Sequence, residues 1–135
     1  MQNANGPCPL IAVANTLLLR GRVLISDMVV VVTAAQLVEY VSDAVADTVA
    51  NVNAHDAIAV LPELQHGLDV NVRFGGVSDF EPTRECAVFD VLRIPLYHGW
   101  LVDPQCEAAA RAVGRMGYNE LVEHILANKS RSCGI

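Results

Sequence analysis

Hydrophobic positions along this chain fall into segments with distinct rhythms. Leu10-Ile11-Ala12-Val13-Ala14-Asn15-Thr16-Leu17-Leu18-Leu19 is apolar almost without a break. A run of that kind predicts a helix that is apolar nearly all round and therefore buried. Pro7 and Pro9 suit its first turn, where amide donors lack partners anyway, and Gly21 suits its stop. Val23 to Val32 is rich in β-branched residues and predicts a short strand. Thr33-Ala34-Ala35-Gln36 then forms a capping-box pattern. Behind it, Leu37, Val41, Ala44/Val45 and Thr48/Val49 recur at helical spacing. Asp56 is placed to cap a further helix carrying Ile58, Leu61 and Leu64, which Pro62 shortens or kinks.

The rhythm changes at Leu68-Asp69-Val70-Asn71-Val72-Arg73-Phe74, which alternates strictly. Alternation with period two predicts a strand, with Leu68, Val70, Val72 and Phe74 on its core face. Gly75-Gly76 ends it. Thr83 to Leu92 predicts a short helix. Asp103-Pro104 predicts a cap followed by proline at the first helical position, with Gly114 closing that helix. A last helix is expected from about Asn119, with Leu121, Val122 and Ile125 on one side and a polar tail from Ser130 to Ile135. The sum is an α+β fold of several helices and a small sheet, without internal repeats or low-complexity segments.

Composition narrows the class. The 135 residues suit one domain or a piece of one. At 53% hydrophobic and 18% charged, the chain can build a core and is unlike a disordered one. Its net charge is -6, with nine Lys and Arg scattered along it, which argues against non-specific nucleic-acid binding. The run Val29 to Val32 is far shorter than the roughly 20 apolar residues of a membrane span. The polar first residues do not read as a signal peptide. Cysteines at 8, 86, 106 and 133 match neither a zinc knuckle nor a disulfide framework, and scattered thiols suit a reducing cytoplasm, with the nucleus also open.

The candidate chemistry sits at the front. Cys8 follows Gly6-Pro7 and opens the first apolar helix. A helix N-terminus offers partial positive charge and unpaired amides, which favour the nucleophilic thiolate and can hold an acyl-transfer oxyanion. Gln2 lies six residues earlier, where a side-chain amide can give a second oxyanion bond, as a glutamine does in papain-like proteases. The alternative is a cysteine that only packs, beside a loop that Gly6 and Pro7 merely shape.

Several longer motifs resemble one family in the right order. Gln2-Asn3-Ala4-Asn5-Gly6-Pro7-Cys8-Pro9-Leu10-Ile11-Ala12 is similar to the nucleophile motif of the MINDY deubiquitinases. Leu61-Pro62, Gly67 to Phe74 and Gly76-Val77-Ser78-Asp79-Phe80-Glu81 resemble the same family. So do Glu85-Cys86, Val88-Phe89-Asp90, Ile94 to Gln105, Arg111 to Gly114 and Tyr118 to Glu123. The resemblance implies a papain-like arrangement in which Cys8 attacks the isopeptide carbonyl after the C-terminal glycine of ubiquitin and Gln2 helps hold the oxyanion. It further implies that Asp69, Val70, Trp100 and Tyr118 lie near the active site or hold ubiquitin, that the substrates are lysine-48-linked polyubiquitin chains, and that no metal or cofactor takes part. Residue by residue, other readings stay open. Val70 shares its alternating face with core positions, Trp100 and Tyr118 can serve as core, and Asp69 can be a solvated strand residue.

A cysteine hydrolase also needs a base. The chain has four histidines, at 55, 66, 98 and 124. None of them matches the position of the family's catalytic histidine, which the resemblance places beyond the last motif found here. His98 stands beside Trp100 but in a motif that does not supply the base; His55, His66 and His124 read as helix-surface or capping residues. The expectation is therefore a partial catalytic domain, shortened at both ends, with some apolar surface left uncovered. On that reading the 135 residues are inactive alone, or act as a non-catalytic ubiquitin-binding fragment.

Overall fold

The computed structural model describes residues 8–48 and 54–132. Their elements are α1 (Cys8–Leu19), α2 (Ala34–Asp47), α3 (Ala54–Val60), a 3₁₀ turn (Leu61–Gln65), β1 (Asn71–Val72), β2 (Phe80–Glu81), α4 (Arg84–Leu92), α5 (Glu107–Val113) and α6 (Tyr118–Ser132). The α+β class expected from the sequence is what forms: helices with a small two-stranded sheet. The chain divides into two compact units. One holds the residues up to Asp69 together with Thr83–Pro95; the other holds Val70–Pro82 and the chain from Leu96 onward.

The first unit is helical. On α1, Leu10, Val13, Ala14 and Leu17 are buried, a stripe at i, i+3, i+4 and i+7. Ala12 and Asn15 are exposed and Leu19 is 90% exposed, so the all-round burial expected of this helix is corrected to one face. Helix α2 and the 3₁₀ turn are the elements that pack against it. Gly21 ends the helix as expected, with φ +67, a conformation that costs glycine little.

The capping box of α2 forms as the sequence indicates. Thr33 Oγ1 accepts the Gln36 amide at 3.2 Å, and Gln36 Oε1 accepts the Thr33 amide at 2.9 Å. Val41, Ala44 and Val45 make its buried stripe. Replacing Thr33 with alanine removes the side-chain half of this box, and a loss of about 1 kcal/mol in urea unfolding is expected. No measurable loss would mean that the box does not hold the helix start.

Pro62 acts as anticipated. It has no amide to donate, so the α-helix stops at Val60 and the chain tightens into the 3₁₀ turn. Ala57, Val60, Leu61 and Leu64 are buried there, whereas Asp56 lies in the first turn of α3 instead of capping it. Val49, the last position of the α2 pattern, lies outside the described residues. Thr83 caps α4 by accepting the Cys86 amide, and Arg93, left-handed at φ 52, ends it. The wholly buried Leu10, Leu17, Leu61, Leu64 and Leu92 form the heart of this unit.

Two arginines tie the end of α1 to other helices. Arg20 Nη1 donates to the carbonyls of Leu92 and Arg93 at 3.2 and 3.1 Å. Arg22 Nη2 donates to the Ala44 carbonyl at 3.0 Å and to Thr48 Oγ1. Both satisfy carbonyls that a helix C-terminus leaves without intrahelical partners. The strand expected over Val23–Val32 is corrected: among the described residues this segment pairs with no strand. β-branched composition suits a sheet only where a neighbour supplies the ladder. Val23 turns inward, while Leu24, Met28, Val30 and Val31 stay exposed.

In the second unit β1 runs antiparallel to β2, with Asn71 opposite Glu81 and Val72 opposite Phe80. Arg73 bridges to Gly117, and the Phe74 amide donates to the Met116 carbonyl. The strand predicted over Leu68–Phe74 is thus reduced to its middle, and its inward face holds at Phe74, which is buried, and is corrected before it. Asn71 is buried, at 8% exposure, whereas Val70 and Val72 are half-buried. The physical reason is a polar junction. Asn71 Nδ2 donates to Glu81 Oε2, and Asn71 Oδ1 accepts the Asn119 amide at the start of α6. Gly117 fits beside them because a Cβ there would stand 2.7 Å from Glu81 Oε1.

Asp103-Pro104 makes a turn and does not start a helix. Asp103 Oδ1 accepts the Gln105 amide at 2.9 Å and its carbonyl accepts the Cys106 amide at 3.0 Å. Helix α5 begins at Glu107 and closes at Gly114, as expected for its end. Helix α6 starts one residue before the anticipated Asn119 and continues to Ser132, through the beginning of the expected polar tail.

Candidate active site

Cys8 is the first residue of α1 and is exposed. Pro9 and the buried Leu10 follow it, so the helix start is anchored by one side chain pointing into the core of its unit. The first-turn amides of a helix have no intrahelical acceptor and carry the positive end of its dipole. A thiol at this position is both accessible and next to donors suited to an oxyanion. Gln2, the second expected catalytic residue, lies outside the described residues.

The four residues expected to hold ubiquitin fall in different places. Asp69 is exposed and closes the first unit, where its carbonyl accepts Thr83 Oγ1–H at 3.0 Å. Val70 opens the second unit, half-buried, just before β1. The strand does not extend to it.

Trp100 and Tyr118 meet. Their ring centroids are 5.5 Å apart with an interplanar angle of 73°, an edge-to-face pair. Trp100 remains 60% exposed and Tyr118 44% exposed, so neither is a core residue. They line a shallow apolar cleft of about 480 Å³ with Phe74, Leu101, Val113 and Leu121. Rigid aromatic surface of this kind, left open, is the usual anchor of a protein contact.

His98 lies two residues before Trp100 and makes its own set of contacts. Its ring stands edge-on to Phe80, with centroids 5.0 Å apart. Nε2 lies 3.1 Å from the Asp79 carbonyl, and Nδ1 accepts the Trp100 amide at 3.2 Å. A carbonyl only accepts, so in this arrangement Nε2–H is the donor and Nδ1 the acceptor. Both nitrogens are therefore engaged by backbone. His66 follows the 3₁₀ turn at its C-cap, and His55 and His124 are exposed on α3 and α6, as helix-surface or capping residues. Sequence reasoning missed Asn71, Glu81 and Gly117, the junction that seats α6 and hence Tyr118. The one signal available was a polar residue at the centre of an alternating run.

Among the described residues, no group of three or more His, Cys, Asp and Glu could hold a metal ion, and no helix is long and apolar enough to cross a membrane. Comparison with known proteins gives the family. The MINDY deubiquitinase family model matches residues 1–134. The chain belongs to the MINDY deubiquitinase family. Among its relatives, ubiquitin carboxyl-terminal hydrolase MINDY-2 of Bos taurus is 52% identical over 95% of this chain, and its Homo sapiens counterpart is 51% identical over 95%. Ubiquitin carboxyl-terminal hydrolase MINDY-1 of Bos taurus is 50% identical over 97%. The chain spans 22% of the length of the two MINDY-2 relatives and 30% of that of MINDY-1. The resemblance of the motifs to this family is thereby established for the MINDY chain as a whole.

Proposed function

We propose that this MINDY chain carries the nucleophile of a cysteine isopeptidase that acts on lysine-48-linked polyubiquitin, in a papain-like arrangement. The observation that carries the reading is the exposed Cys8 at the head of α1, within the residues matched by the MINDY deubiquitinase family model. In this reaction the Cys8 thiolate attacks the isopeptide carbonyl carbon. The oxyanion is held by first-turn amides of α1 and by Gln2. The lysine amine leaves with a proton, a thioester to ubiquitin remains, and water then releases the ubiquitin carboxylate. Asp69, Val70, Trp100 and Tyr118 contact ubiquitin, with the Trp100–Tyr118 pair as the aromatic anchor.

Among the described residues, no histidine stands ready to give the leaving amine its proton. Neither nitrogen of His98 is available, and no other histidine matches the family's base. That observation favours a second reading for the chain by itself: it captures ubiquitin without turning chains over. Ubiquitin bearing a C-terminal electrophile tests both at once. A covalent adduct is expected on a denaturing gel, together with no cleavage of lysine-48-linked chains. Absence of any adduct counts against the nucleophile. Repeated turnover of chains by these residues alone contradicts the missing base.

A further inference from the structure

We propose that His98, held with Nε2 on the Asp79 carbonyl and Nδ1 on the Trp100 amide, is a positioning residue that sets the place of Trp100. Its bearing on ubiquitin rests on the preceding reading of Trp100; its bearing on Trp100 does not. Trp100 is 60% exposed, and its ring meets Tyr118 edge-to-face, a contact that forms only if the Trp100 backbone is held in place. Its backbone amide donates to His98 Nδ1 at 3.2 Å. The other ring nitrogen is tied to the Asp79 carbonyl at 3.1 Å. That same carbonyl accepts the Arg73 amide at 2.9 Å, at the end of β1. A continuous path of hydrogen bonds thus leads from the strand through Asp79 and the imidazole to the Trp100 backbone. The His98 amide donates to the Val77 carbonyl at 2.8 Å, and Phe80 meets the ring edge-on, so the imidazole itself is held on two further sides. Gly99 between them and the Leu101-to-Gly99 amide bond make the connecting loop short and tight.

The two ring nitrogens do different work, and two variants separate them. His98→Asn keeps an acceptor oxygen at the place of Nδ1. His98→Gln keeps an amide donor at the place of Nε2 and offers Trp100 no acceptor. Trp100 is the single tryptophan of the chain, so its indole emission and its backbone amide resonance report on this loop alone. His98→Asn is expected to move the Trp100 amide resonance and emission less than His98→Gln does, because it keeps the acceptor on a residue still tied to the Val77 carbonyl, although it gives up the link to Asp79. His98→Gln is expected to move both and to weaken ubiquitin binding by about tenfold, the scale of one lost hydrogen bond at a contact. Equal behaviour of the two variants at the Trp100 amide overturns the proposal. Trp100→Ala, measured in parallel, keeps the two claims apart. If it binds ubiquitin as the parent does, the contact reading of Trp100 fails, and the amide comparison still decides whether His98 places that residue.

Discussion

Replacing Cys8 with alanine is expected to abolish covalent capture of ubiquitin bearing a C-terminal electrophile, with binding of unmodified ubiquitin retained within about twofold, because an exposed surface substitution away from packing costs little. The asymmetry follows from position. Cys8 is exposed, so removing its sulfur opens no cavity; the burial that holds this end of α1 belongs to Leu10 and Val13. The chemistry, by contrast, depends wholly on the sulfur, since only a thiolate attacks an acyl carbon here and no neighbouring hydroxyl takes its place in the motif. Intact-mass measurement gives the first quantity and titration with ubiquitin the second. If the alanine variant still formed the adduct, another thiol would be reacting. If it lost binding as well, Cys8 would be acting through packing.

The second large effect is on stability. Leu64→Ala is expected to destabilise the helical unit by about 2–5 kcal/mol, the range for removing a wholly buried leucine side chain. Leu64 sits in the 3₁₀ turn, which touches α1, α2, α3 and α4, and it is 0% exposed. Elements of different directions converge on it, so collapse around the missing methyl groups is difficult. Since whole domains are stable by only about 5–15 kcal/mol, the variant loses much of its margin. Urea unfolding followed by far-ultraviolet circular dichroism measures the change. A loss below about 1 kcal/mol would show that this turn is not the centre of the unit.

Both expectations rest on features that differ in how openly the sequence displays them. The α2 start was legible because a capping box is local: Thr33 and Gln36 satisfy one another within four residues. The effect of Pro62 was legible for the same reason, since a missing amide ends a helix wherever it stands. What failed to show was what depends on distant partners. Val23–Val32 has strand composition without a described strand beside it, and Leu68–Phe74 has strand rhythm with only Asn71–Val72 paired. The inward face there is set by Asn71, whose amide meets Glu81 and the start of α6, forty-eight residues further on.

The candidate site divides along the same line. Cys8 could be placed at a helix start from the residues around it. The meeting of Trp100 with Tyr118 could not be seen across the seventeen intervening positions, because it needs the turn at Asp103, the closure of α5 and the seating of α6 on Asn71. The role of His98 was hidden for a further reason. A histidine beside a tryptophan is equally consistent with a base, a surface residue or a backbone partner, and only the positions of both ring nitrogens separate these.

The central claim concerns one cysteine thiol among four. Peptide mapping of the ubiquitin adduct by mass spectrometry reads which cysteine has reacted. Modification confined to the peptide that contains Cys8 is the predicted result. Modification at Cys86, Cys106 or Cys133 in its place would contradict the assignment of the nucleophile to the head of α1.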